Sequence, residues 1–426
     1  MVLAAVGPVG AQQTERQVHR LAITGPVTPS MVSYFERGIQ EAEQEGVEAL
    51  IVQLDTPGGQ VDLMLKIVQA FRAAQVPVIV HVAPRGAQAA SAGAVITMAA
   101  HAAVMAPETV IGAASPVAGS GEDLSETMAR KAIEDLKATV RSLTERRGVE
   151  ARNLAEAMIE EARAVHADEA LAVGLIDAVA DDLPTLLAQL DGLSVTVAGV
   201  ERTLHTASAQ VVERPLNVFE RVLHLVVNPT VVAILMAVGL QAILIELSSP
   251  GGWVAGFTGV VSLALGFYGL GILPVNWLGL VLVGIAFVLF VLEVTSPTYG
   301  ALTVAGIASL ISGFLILFNY PGSPEFARVS IPVVVAIALL TGGFFTFVLA
   351  KALTIQRKTP VTGVEGLKGA VGDVRTPLSP RGSVYLNGEL WRAETADGSM
   401  ATTGTQVKVV GVRGFTLLVE PVDTHR

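Results

Sequence analysis

Residues 17–24 (QVHRLAIT) alternate apolar and polar positions, the period of a half-buried strand. Thr28-Pro29-Ser30 offers a cap and an early proline for a helix to about Glu45. Residues 48–54 form an apolar run of the kind found in a buried parallel strand, and Asp55-Thr56-Pro57-Gly58-Gly59 breaks it. An amphipathic helix is expected over 61–74, a strand over 77–82 and a loop at Pro84-Arg85-Gly86. From Ser91 the residues SAGAVITMAA are small and apolar, which predicts a tightly packed buried helix. Short strands near 102–105 and 109–112, helices over 125–147, 151–162 and 167–173, and a strand at Leu175-Ile176-Asp177 complete the segment. Strands alternating with helices predict an α/β domain with a mainly parallel sheet.

The pattern then changes twice. Five apolar stretches follow, roughly 230–247, 253–273, 277–294, 300–319 and 331–350, each long enough to cross ~30 Å of hydrocarbon as a helix. LIELSSPGGWVAG at 244–256 is echoed by VLEVTSPTYGALTVAG at 291–306, which suggests duplicated pairs of spans. Glu246 and Glu293 hold equivalent places near span ends, where an interfacial carboxylate is the expected reading. Beyond 362, short alternating strands separated by Gly and Pro turns predict a small barrel of the OB type.

Charge sharpens these boundaries. Residues 1–228 carry 17 Lys/Arg and 28 Asp/Glu, residues 229–350 one and three, and residues 351–426 ten and seven. A nearly charge-free block between two charged ones reads as a membrane domain between two soluble ones. The expected layout is 1–14 signal remnant or disordered, 15–205 α/β domain, 206–228 linker, 229–351 membrane domain and 362–423 barrel. Lys351, Arg357, Lys358 and Lys368 follow the fifth span, so the positive-inside rule places that end in the cytoplasm and the α/β domain outside. Met1–Ala11 is apolar and ends in Val9-Gly10-Ala11, like the tail of a signal peptide. The 426-residue chain has no cysteine, which excludes disulfides, thiolate chemistry and Cys-based zinc sites. No basic patch is interleaved with aromatics, so nucleic-acid binding has no support.

Two loops carry candidate chemistry. In Thr56-Pro57-Gly58-Gly59, the glycines let backbone N–H groups converge on a developing oxyanion. Ser91, at the start of the buried helix, lies at the positive end of the helix dipole, and the N–H of Ala92 would point the same way. A serine there also fits a plain N-cap. A serine nucleophile needs a base. His81, His101 and His166 are poorly spaced for it and read as structural. A lysine can serve if it is desolvated enough to be neutral. Lys131 and Lys137 are the candidates; Lys131 adjoins Ala132-Ile133, whereas Lys137 follows Glu134-Asp135, which suggests a wetter face.

LDTPGG, AASAGAVITMAAH, IGAASPV, RKAIEDLKATVRSLTERRG and ADEALAVGLIDAVA together resemble the ClpP/crotonase-like peptidase domain of NfeD proteins. The echoing spans, GELWRAE and QVKVVGVRG resemble that family's membrane region and C-terminal OB domain. The resemblance covers nearly the whole chain in order. It implies a membrane-bound Ser-Lys endopeptidase without metal or cofactor. Ser91 would be nucleophile, Lys131 base, and Gly58 or Gly59 with Ala92 the oxyanion donors. It implies a stomatin-like (SPFH) membrane protein as substrate or partner, cut in an apolar segment, and a homodimeric peptidase domain. Two rival readings are a non-catalytic membrane organiser and a crotonase-type enzyme acting on acyl-CoA.

Overall fold

The computed structural model describes residues 16–116, 125–248, 252–296, 298–321, 323, 325–356 and 364–422. The signal remnant read at 1–14 lies outside them. Contacts divide the chain into two units, 1–345 and 346–426.

In the first unit, β1 (Gln17–Thr24) leads into α1 (Pro29–Glu45). Thr28 accepts the Met31 N–H at 3.3 Å and Gly46 closes the helix in the left-handed region, as the sequence signals ask. There follow β2 (Ala49–Asp55), α2 (Val61–Ala73), β3 (Val78–Val82), β4 (Gln88–Ala90), α3 (Ala92–Ala99), β5 (Ala102–Met105) and β6 (Val110–Gly112). Next come α4 (Glu126–Thr144), α5 (Val149–Glu160), β7 (Ala164–His166), α6 (Ala167–Ala172), β8 (Ala178–Val179) and α7 (Leu183–Leu190). The hairpin β9 (Ser194–Val197) and β10 (Val200–Thr203) precedes β11 (Gln210–Glu213). The main sheet is parallel, in the order β11-β1-β2-β3-β5-β8. A small second sheet, β4-β6-β7, adjoins the carboxyl end of β2, where Thr56 bridges to Ala89. All eight residues of α3 are buried; their small side chains let the helix sit close against the sheet ends.

Two expectations change here. Residues 206–228, read as linker, hold β11, which pairs with β1, and α8 (Val218–Val226), which packs on α1. The alternation in Gln-Val-Val-Glu is too short to stand out as an edge strand. The strand read at Leu175–Asp177 falls instead on Ala178–Val179; Leu175 and Ile176 fill the core and Asp177 accepts the Ala103 N–H. After the loop expected at Pro84-Arg85-Gly86 the chain also forms β4, where no element was expected because Gln-Ala-Ala carries no strand signal.

Five apolar helices follow: α9 (Pro229–Ser248), α10 (Val254–Ile272), α11 (Trp277–Thr295), α12 (Ala301–Phe318) and α13 (Ile331–Gln356). Each is long and apolar enough to cross a membrane. α9 packs with α10 and α11 with α12, with glycines at the crossings. A Cβ on Gly279 would come within 2.3 Å of the Leu317 nitrogen, and one on Gly259 within 2.8 Å of Ile243. Glu293 is buried among protein atoms at the end of α11. It accepts from the N–H groups of Thr298, Gly300, Leu302 and Thr303 and from the Thr298 hydroxyl, so it caps α12. Glu246 accepts from Trp253 and Gly256 at the start of α10.

In the second unit, β12 (Val371–Thr376), β13 (Arg381–Leu386), β14 (Glu389–Thr395), β15 (Gln406–Arg413) and β16 (Thr416–Pro421) close into a barrel in the order β12-β13-β14-β16-β15. Only β14 and β16 run parallel. The layout expected from sequence, an α/β domain, five apolar helices and a five-stranded barrel, is the one observed.

Candidate active site

The centre of the site is the step from β4 into α3. Ser91 makes that step with φ 53° and ψ −119°. Such a backbone costs a non-glycine residue about 1–3 kcal/mol and persists only where its surroundings enforce it. Here they do. Ser91 N–H donates to the Gly112 carbonyl (2.9 Å), Ala90 N–H to the Thr56 carbonyl (3.0 Å), and Ala94 N–H to the Ser91 carbonyl (3.0 Å). The half-buried hydroxyl is thereby presented at the first turn of α3, on a sharp strand-to-helix turn of the kind that exposes a nucleophile.

Gly58 lies directly against this turn, with φ +106°. A Cβ on it would come within 2.5 Å of the Ser91 Cβ and 3.1 Å of its Oγ, so only glycine fits. Gly58 N–H donates to Thr56 Oγ1 at 3.1 Å, and its carbonyl accepts from Val27 N–H at 2.8 Å. Gly59 is bridged to Val27, and a Cβ there would meet the Val27 carbonyl oxygen at 2.6 Å. That bridge engages the groups flanking Gly59, which directs Gly59's own N–H to the opposite edge. Ala92 is the first residue of α3, where helix geometry leaves an N–H unbonded. The structure therefore brings Ser91, Ala92 and the glycine loop together. Of the two glycines, Gly59 is the one whose N–H is uncommitted among the described residues.

Thr56 was not singled out from sequence, and it organises this half. It is fully buried, its hydroxyl holds Gly58, and its methyl packs so closely on Gly93 that a Cβ there would lie 2.5 Å away. Gly112, which anchors the Ser91 N–H, is equally constrained. A Cβ on it would meet the Arg163 carbonyl at 2.3 Å. The only prior signal for either residue was its place in LDTPGG and IGAASPV.

The lysines fall differently. Lys131 lies on an exposed position of α4, and among the described residues its amine makes no hydrogen bond or ion pair. Lys137, read as facing a wetter surface, is 8% exposed. Its amine bonds Glu160 at 2.5 Å, with Glu134 and Glu156 each 3.9 Å away. The Glu160 hydrogen bond and these charges raise its pKa, which holds it protonated and unfit as a base. The acidic neighbours are its partners across α4 and α5, not a sign of bulk water.

The histidines are structural. His81 Nε2 lies 3.0 Å from the Ala180 carbonyl, and burial lowers its pKa. His101 Nδ1 accepts the Val78 N–H at 3.0 Å, and burial brings its pKa to about 4. His166 pairs within the small sheet at the start of α6. Among the described residues no three His, Asp or Glu side chains converge to hold a metal.

Family comparison covers the chain in three consecutive pieces. The NfeD1b N-terminal domain matches residues 17–200, the NfeD integral membrane domain 230–351, and the NfeD-like C-terminal, partner-binding domain 364–421. The chain belongs to the NfeD family and is a membrane protein. It is 33% identical over 412 residues to the membrane-bound protease PH1510 of Pyrococcus horikoshii, covering 94% of this chain and 92% of that one. It is 26% identical over 440 residues to the membrane protein NfeD1b of Bacillus subtilis, covering 97% and 95%. Among solved structures, the 1510-N membrane-bound stomatin-specific protease, a lysine-to-alanine mutant in complex with a substrate peptide, is 33% identical over 49% of this chain and 96% of that one, with a TM-score of 0.46.

Proposed function

We propose that the chain is a membrane-bound serine endopeptidase that cuts apolar segments of stomatin-like membrane proteins. The observation that carries the reading is Ser91, held in a strained strand-to-helix turn against a glycine loop that admits no side chain. Its relationship to a membrane-bound protease over nearly its whole length supports the same reading.

In this mechanism the Lys131 amine takes the Ser91 proton, and the Ser91 Oγ attacks the scissile carbonyl. The oxyanion accepts hydrogen bonds from Ala92 N–H and from the glycine loop through Gly59, with Gly58 as the alternative donor once it leaves Thr56. The protonated lysine then passes its proton to the leaving amine, and water hydrolyses the acyl-enzyme. Lys131 is exposed in the free chain. The mechanism therefore requires bound apolar peptide to exclude water from its amine, which favours the neutral form. The peptide would lie extended along the free edge of the glycine loop, since Val27 occupies the other edge. We place the α/β domain outside the cytoplasm and the barrel within it, because basic residues from Lys351 onward follow the fifth span. The barrel, matched by a partner-binding family domain, would engage the stomatin-like protein.

A second reading is a non-catalytic organiser that binds the same partner, and the solvated Lys131 favours it. The test is cleavage of apolar stomatin-like peptides by the full-length protein in liposomes. Turnover that disappears in Ser91→Ala and in Lys131→Ala, with both variants folded, supports the peptidase. Binding of the partner without cleavage by the unaltered chain supports the organiser.

A further inference from the structure

Between the α/β domain and the first span lies α8, which no part of the proposed chemistry uses. Its sequence, VFERVLHLV, divides by face. Val218, Phe219, Val222 and Leu225 are 79, 71, 41 and 54% exposed. At 100° per residue they form one stripe along the helix. The other side is fixed to protein. Glu220 is buried and accepts from Arg37 Nε (2.9 Å) and Nη2 (2.7 Å), and Arg37 also donates to the Pro215 carbonyl (3.0 Å). Asn217 and Glu220 form a reciprocal capping box that defines the start of the helix. At the far end, Val227 belongs to the core of the membrane domain, and a Cβ on Gly269 near the end of α10 would lie 2.4 Å from the Val226 carbonyl. Pro229 then opens the first span.

A rigidly held helix with an outward apolar stripe, joined to a membrane span by the short turn Val227-Asn228, fits one surface. We propose that α8 is an in-plane membrane helix whose Val218–Phe219–Val222–Leu225 face is seated in the lipid interface. Its exposure matches that of span residues such as Leu278 (58%) and Val281 (57%), and α8 packs against the first two spans. Arg221, exposed on the flank of the stripe, stands where it would meet lipid phosphates. The seat has a geometric result. Arg37 ties α8 to α1, and the turn before α1 carries Val27, which bonds Gly58. Lipid contact thus fixes the height of the glycine loop above the bilayer. On the peptidase reading, substrates are taken where they lie along the membrane surface.

The chain has no cysteine, so single spin labels can be placed without background. The experiment uses the full chain in phosphatidylcholine–phosphatidylglycerol liposomes, with Phe219→Cys and Val222→Cys compared with Val281→Cys in α11 and Glu201→Cys in β10. Labels at 219 and 222 should lose collisions with a water-soluble nickel chelate and gain collisions with oxygen, as at 281. Chelate access equal to that at 201 would overturn the proposal. So would shielding from both reagents, which would mean that a protein surface, such as a second copy, covers the stripe. None of these readouts depends on catalysis.

Discussion

The turn that carries Ser91 and the helix that carries Lys131 differ in how much of their geometry the fold fixes. Around Ser91, the backbone of Thr56, Gly58, Ala90 and Gly112 is committed to specific partners, and side chains at 58, 93 or 112 would collide with their neighbours. Around Lys131 the helix meets solvent; only the later part of α4, with Leu136, Lys137, Val140 and Thr144, is buried. A nucleophile and its oxyanion donors must be pre-aimed, because catalysis by fixed dipoles depends on their not having to reorganise. A long, flexible lysine tolerates a looser mount, provided that substrate supplies the dry surroundings it lacks. If Ser91 and Lys131 act together as proposed, the free chain is a half-assembled site.

Substitutions that disturb each half should separate them. Gly58→Ala should have the largest effect. The strained φ and the contact with Ser91 should lower peptide turnover by about a thousandfold or more, while near-ultraviolet circular dichroism shows that the fold persists. Next, Lys131→Ala should lower turnover by about a hundredfold to ten-thousandfold with no change in melting temperature. Lys137→Met should do the reverse, keeping activity while the melting temperature falls through loss of the Glu160 and Glu156 contacts. Activity lost in Lys137→Met but kept in Lys131→Ala would assign the base to the wrong half of α4. Thr56→Val keeps the packing methyl and removes the hydroxyl that holds Gly58. It should cost about tenfold in kcat, the equivalent of one hydrogen bond, with recovery in Thr56→Ser.

The last effect is on stability rather than turnover and concerns the sheet beneath the rigid half. Burial lowers His101 from 6.5 to about 4, so the unfolded chain takes up the proton first as pH falls. Its contribution to stability is complete above pH 6.5 and is lost progressively towards pH 4, by about 3 kcal/mol in all. Thermal unfolding across that window should show a shallower acid slope for His101→Gln than for the unaltered chain.

The parallel sheet, five spans and barrel were legible because each follows from periodicity and charge over many residues. So were Ser91, Ala92 and the glycine loop, which occupy the breaks between strong elements. The strain at Ser91 was not legible, since a positive φ on serine is imposed by Gly112 and Thr56 from elsewhere in the chain. Nor was the reversal at α4. Local neighbours suggested that Lys137 is wet and Lys131 dry, but α5 brings Glu156 and Glu160 over Lys137, a contact between helices that helix spacing alone does not disclose. The 206–228 segment read as linker because β11 is brief and partly exposed and α8 shows its apolar face outward.

Glu293 and Glu246 have an implication for how the membrane region came about and how it is made. Each acid ends one helix while satisfying the exposed amides that begin the next, so each α-hairpin is latched by its own sequence. Two such latched modules, followed by an unmatched fifth helix, are what copying of one hairpin would leave. A module of this kind can enter the bilayer as a pair, since the acid on its first helix already satisfies amides that open its second.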